Sequence, residues 1–89
     1  MLVELFSIIE DRKAHPVEGS YTNRLLAGGD EMLKKVGEEA VEVILAAKGQ
    51  GDQRVVEEAA DLIYHLFVLL AARDLTLDQV EAELRRRHR

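Results

Sequence analysis

The sequence contains no cysteine, no tryptophan and a single proline among 89 residues. Without cysteine, disulfide staples, thiolate zinc sites, iron–sulfur clusters and cysteine nucleophiles are all excluded, so any metal must be held by oxygen or imidazole. Long apolar runs are also missing. The longest, Leu66 to Ala72, is far below the roughly 18 residues of a membrane span, and no basic segment precedes an apolar stretch at the N-terminus. A soluble, cytoplasmic protein without membrane contact is expected. Excess positive charge is lacking too. The formal net charge is -5, which argues against nucleic-acid binding, whose affinity comes mostly from lysines and arginines on phosphates. The one basic cluster, Arg85, Arg86, Arg87 and Arg89, closes the last predicted helix, where cations complement the helix dipole.

What is present is a single domain's worth of helix. A chain of this length buries only roughly 60 to 65% of its unfolded surface, yet 47% of its residues are apolar. We therefore expect one domain, residues 1–89, stabilised by helix packing and a second subunit. Leu2, Leu5, Phe6, Ile8 and Ile9 recur at mostly helical intervals and predict a helix to about Lys13 that ends before Pro16. Ser20 caps a short helix through Ala27, and Gly28-Gly29 breaks it. Asp30 is expected to cap a helix running to about Lys48, and a further helix spans about Asp52 to Arg73 beyond Gly49 and Gly51. Thr76, with Gln79 three residues on, opens a last helix to about Arg87 through a capping box. Strand alternation is not apparent, and the expected fold is an all-α bundle around a central antiparallel hairpin. On the 52–73 helix, Val55, Val56, Ala59, Ala60, Leu62, Ile63, Leu66, Phe67, Leu69 and Leu70 cover about half the circumference, more than one neighbour can cover. That arc predicts a homodimer.

The acidic residues of the two central helices carry the functional information. Glu38, Glu39 and Glu42 lie within about 100° of arc on one helix, and Glu57, Glu58 and Asp61 repeat the arrangement on the other. Like charges at such spacing repel by a few tenths of a kcal/mol per pair; Lys34, Lys35 and Arg54, one turn earlier, offset part of this. Across an antiparallel hairpin, Glu42 and Glu58 stand at similar heights, with Glu39 and Asp61 about a turn further from the connection. Four carboxylates then converge between two rigid helices, a site suited to Mg²⁺ or Mn²⁺, hard cations that prefer oxygen ligands and keep contact with substrate phosphates. A metal between acids and phosphates explains how an acidic site receives an anionic substrate. The competing reading is that these acids are solvated faces of surface helices, in a dimerisation module with no catalysis. His65, one turn after Asp61, is read as a structural histidine, a substrate contact or an orienter of an acid.

Glu39-x-x-Glu42, fifteen residues, then Glu58-x-x-Asp61 resembles the four-acid signature of the all-α, MazG-like nucleoside triphosphate pyrophosphatases. Gly19-Ser20-Tyr21-Thr22, Lys35-Val36-Gly37-Glu38-Glu39 and Glu58-Ala59-Ala60-Asp61-Leu62-Ile63-Tyr64-His65 resemble, within that superfamily, the phosphoribosyl-ATP pyrophosphohydrolases of histidine biosynthesis, and the likeness runs from Leu5 to His88. It implies Mg²⁺-dependent hydrolysis of 1-(5-phosphoribosyl)-ATP to 1-(5-phosphoribosyl)-AMP and pyrophosphate. Glu39, Glu42, Glu58 and Asp61 are the implied metal ligands, and Glu38 a ligand or the base acting on the attacking water, with Glu39 beside it in the catalytic pair. Lys34 or Lys35 would neutralise triphosphate charge, and Ser20, Tyr21, Thr22 and Arg24, with His65, would meet phosphate or ribose. The family's frequent fusion partner, a cyclohydrolase with cysteine-bound zinc, has no counterpart here, so a stand-alone enzyme is expected. The nearest enzymatic alternative is a house-cleaning pyrophosphatase acting on noncanonical nucleoside triphosphates with the same metal chemistry.

Overall fold

The computed structural model describes residues 1–88; the Arg89 of the expected basic cluster lies outside the described residues. Five helices follow one another: α1 (Leu2–Ala14), α2 (Tyr21–Ala27), α3 (Asp30–Gly49), α4 (Asp52–Ala72) and α5 (Leu77–Arg87). Among the described residues there is no strand, and no helix is long and apolar enough to cross a membrane. Helix starts follow local chemistry. The Ser20 hydroxyl accepts from the Asn23 N–H, and Thr76 and Gln79 form the expected reciprocal capping box. One expectation is corrected: Asp30 is the first residue of α3 and not its cap, a position held by Gly29 at φ +56°. That left-handed geometry suits glycine, and Asp30 instead places its charge in the first turn, where the helix dipole favours it.

Helices α3 and α4 form the antiparallel hairpin, joined through Gln50 and Gly51 and making the most extensive packing in the chain. The core sits at the end far from this connection. Phe6 and Ile9 of α1, Leu25 of α2, Met32 at the start of α3 and Phe67, Val68 and Ala71 near the end of α4 form one buried cluster, with Phe6 and Phe67 edge to face at 5.3 Å. Helices α1 and α2 therefore cover only one half of the hairpin. On the other half Val41, Ile44, Leu45 and Val56 remain 52, 58, 46 and 62% exposed. Leu66, assigned to the apolar arc by its helical phase, is also exposed, whereas Val68, outside that list, is fully buried.

The end of α4 is closed by a long-range contact. Asp74 adopts φ +58°, and the Asp74 and Leu75 N–H groups donate to the Ala71 and Leu70 carbonyls at 3.1 and 2.9 Å, the paired bonds of a Schellman turn. Onto this turn α1 delivers the Lys13 ammonium, which donates to the Ala71 carbonyl at 2.8 Å and to the Asp74 carboxylate at 2.5 Å. A cation at a helix C-terminus satisfies carbonyls and opposes the dipole. Lys13→Met keeps the aliphatic stem but loses the charge, and the expected cost, discounted for partial exposure, is about 1 kcal/mol. Thermal unfolding followed by circular dichroism should show a midpoint lower by several degrees for a domain of this size; an unchanged midpoint would show that Lys13 only decorates the turn.

Candidate active site

The acidic stretches of α3 and α4 face each other across the middle of the hairpin. Carboxylate oxygens of Glu39, Glu58 and Asp61 lie within 4.8 Å of one another. Glu58 is buried, Glu39 half-buried and Asp61 open to solvent, so the cluster is rooted in the helix packing and reachable from outside. Glu42, a turn further along α3, is half-buried and stands outside this trio. Oxygen ligands of an octahedral Mg²⁺ at about 2.1 Å are separated by roughly 3 to 4 Å. Small side-chain rotations would bring the three oxygens to that spacing, and an all-oxygen donor set with an exposed member fits a hard divalent cation that also takes substrate oxygens.

Cations from the preceding turn bridge both acidic sets. The Lys35 ammonium lies 3.3 Å from Glu38 and 3.6 Å from Glu39, and Lys34 reaches Glu38 at 3.8 Å. Arg54 spans Glu57 and Glu58, each at 2.5 Å. The Glu38 contact, reinforced by nearby negative charge, raises the Lys35 pKa above its ordinary 10.5, so this residue stays cationic wherever the protein works. Arg54, with help from Gln53, lowers the Glu57 pKa below 4.5. Glu57 is exposed and held by Arg54 and Gln53 of its own helix, and Glu38 is exposed with lysine as its partner.

The other wall is α2. An open cavity of about 490 Å³ is lined by Val17, Ser20, Tyr21, Asn23 and Arg24 with the intervening loop. Arg24 lies over the Tyr21 ring at 5.3 Å and pairs with Glu31 at 2.8 Å. Tyr21 and His65 meet through the phenol oxygen and Nε2 at 3.2 Å, while His65 Nδ1 lies 2.7 Å from the Asp61 main-chain carbonyl. That second contact makes Nδ1 the protonated nitrogen and leaves Nε2 to accept from the Tyr21 hydroxyl. The Thr22 hydroxyl bonds the Tyr64 hydroxyl. Both ring nitrogens of His65 and the hydroxyls of Tyr21 and Thr22 are thus engaged within the protein. Two participants escaped the sequence reading. Asn23 staples the loop, donating to the Arg12 carbonyl at 2.6 Å and accepting from the Val17 N–H at 2.9 Å; an asparagine beside a Pro/Gly-containing loop was the available signal. Tyr64 had none, since its partner lies 42 residues away.

The fold and the site together define an all-α class in which a helical hairpin carries a cluster of carboxylates, flanked by cations, that could hold a metal ion. Residues 2–88 match the model of the family described as phosphoribosyl-ATP pyrophosphohydrolase. The chain is similar to a phosphoribosyl-ATP pyrophosphatase of Bacillus cytotoxicus, 49% identical over 98% of this chain and 82% of that protein, and to one of Methanocella arvoryzae, 45% identical over 100% and 97%. It is also 50% identical over its whole length to 44% of a histidine biosynthesis bifunctional protein of Caldanaerobacter subterraneus. The chain belongs to the phosphoribosyl-ATP pyrophosphohydrolase family.

Proposed function

We propose that this protein hydrolyses 1-(5-phosphoribosyl)-ATP, consuming one water and releasing 1-(5-phosphoribosyl)-AMP and pyrophosphate in histidine biosynthesis, and that Mg²⁺, or Mn²⁺ in its place, is the ion it uses. The observation that carries the reading is the convergence of Glu39, Glu58 and Asp61 in a chain whose residues 2–88 match this family. Those three, with Glu42 swinging in from the next turn, would hold the ion. When bound it would supply charge neutralisation for the phosphoryl oxygens. Lys34 and Lys35 lie beside the cluster on α3 and offset triphosphate charge. Glu38, exposed next to them, takes the proton of the attacking water at a carboxylate oxygen or serves as a further ligand, with Glu39 adjacent. Ser20, Tyr21 and Arg24 form the wall that meets the ribose and its phosphate, while the Thr22 hydroxyl is taken up by Tyr64.

We read residues 1–89 as one catalytic domain that works in the cytoplasm as a homodimer. Support for the second copy is quantitative. The accessible surface is 6396 Å² for 10.0 kDa, against about 5,200 Å² for a compact monomer of that mass. The surplus of about 1,200 Å² per chain is of the size that a permanent dimer interface buries.

The deciding experiment is pyrophosphate release from phosphoribosyl-ATP with and without Mg²⁺, beside a panel of ordinary and damaged nucleoside triphosphates. Ion-dependent release from phosphoribosyl-ATP alone is expected. Preference for a free triphosphate would move the protein to the house-cleaning enzymes, and no release from any substrate by folded, metal-supplied protein would return the acids to a solvated face.

A further inference from the structure

Two consecutive residues of α2 are bonded to two consecutive residues of α4. Tyr21 meets His65, and Thr22 meets Tyr64. The three rings interlock, with Tyr21 and Tyr64 stacked at 6.4 Å and 19°, and His65 edge-on to both at 6.2 and 5.0 Å. A two-turn helix held by one fully buried apolar anchor, Leu25, with Leu26 half-buried beside it, can still roll about its axis and slide along its neighbour. Two hydrogen bonds one residue apart remove both freedoms. The buried His65 carries this constraint to the acids, because its other nitrogen is bonded to the main chain of Asp61. On the far side Arg24 lies over the Tyr21 ring. One continuous set of contacts thus runs from the α4 main chain at Asp61 through His65 and Tyr21 to the arginine of the opposite wall.

We propose that Tyr64 and His65 are positioning residues that latch α2 onto α4, setting the distance between Arg24 and the Glu39–Glu58–Asp61 cluster, and that Tyr64–Thr22 acts as one half of this latch without touching substrate. The kinetic half of the proposal rests on the reaction proposed above; the structural half does not. The latch can be observed directly, since Tyr21 and Tyr64 are the only tyrosines in a chain without tryptophan. All tyrosine circular dichroism near 275 nm therefore comes from these two stacked rings.

The test uses Thr22→Val, Tyr64→Phe and the double variant, with His65→Leu and His65→Gln, each checked for helicity in the far ultraviolet. Thr22→Val and Tyr64→Phe each remove one hydrogen bond, so a KM for phosphoribosyl-ATP raised about five- to tenfold with kcat within about twofold is expected. The double variant should be no worse than either single one, as for two partners of one bond. Thr22→Val and His65→Leu should lose most of the tyrosine band, and His65→Gln, which keeps an acceptor near the Nε2 position, should recover part of both band and KM. An intact band in Thr22→Val and His65→Leu overturns the latch, whether or not the wild type hydrolyses phosphoribosyl-ATP. A lost band with unchanged KM overturns its role in positioning, as do additive effects in the double variant or a fall in kcat alone.

Discussion

Asp61→Asn should lower kcat by roughly a thousandfold or more, the scale expected when an electrostatic contributor is removed from a phosphoryl-transfer site, and leave the helices intact. The exchange is nearly isosteric. It removes one negative charge from three carboxylates whose oxygens lie within 4.8 Å, and the Asp61 carbonyl that receives His65 belongs to the main chain, so the latch survives. Stability gives a second, independent readout. Without metal, relieving the mutual repulsion should leave the variant's thermal midpoint equal to or above that of the wild type. With Mg²⁺ the order should reverse, because an ion bound only to the folded state stabilises it by about 2.7 kcal/mol at a hundredfold excess over its dissociation constant, and the variant binds it poorly. Glu42→Gln separates the fourth acid from the trio: as a ligand that swings in, it should show the same loss of metal response. Equal midpoints with and without Mg²⁺ in the wild type, together with retained turnover in Asp61→Asn, would reduce the cluster to solvated acids on a dimerisation scaffold.

The helices and their ends were legible in the sequence because each is set by residues a turn apart: Ser20 with Asn23, Thr76 with Gln79, glycines at the breaks. Asp30 misled because an aspartate before an apolar-periodic segment usually caps it, and here the preceding glycine adopts a conformation that only its own backbone makes easy. Burial along α4 was only half legible. A helical wheel gives the angular position of Val56, Leu66 and Val68 but not the axial extent of their cover. Since α1 and α2 pack on one end of the hairpin, Val68 is sealed while Val56 is bare. In the site, the acidic pairs could be read from spacing alone, as could the lysines and arginine one turn before them. The contacts of Lys13 with Asp74, of Thr22 with Tyr64 and of Arg24 with Glu31 could not, because they depend on how helices pack rather than on periodicity within one helix.

Ile44→Glu should halve the mass in solution. Ile44 lies with Val41 and Leu45 on the half of the α3–α4 hairpin that α1 and α2 leave uncovered, across the hairpin from the equally bare Val56. A monomer keeping these side chains in water forgoes roughly 1.5 to 3 kcal/mol for each large aliphatic group that could be buried, in a chain whose own core is confined to the opposite end of the hairpin. Pairing two copies through this face would bury the stripes against each other and complete a four-helix arrangement from two hairpins. In a two-fold dimer one substitution appears twice in the interface. Losing two isoleucines and introducing two carboxylates there should cost at least about 4 kcal/mol, a dissociation constant raised about a thousandfold. Light scattering on the eluting protein should give twice 10.0 kDa for the wild type and close to 10.0 kDa for the variant at micromolar concentration. The wild-type thermal midpoint should rise with protein concentration, and the variant's should be lower and independent of it. A wild type that elutes at 10.0 kDa with a concentration-independent midpoint would overturn the dimer and leave the surplus surface of the hairpin without an occupant.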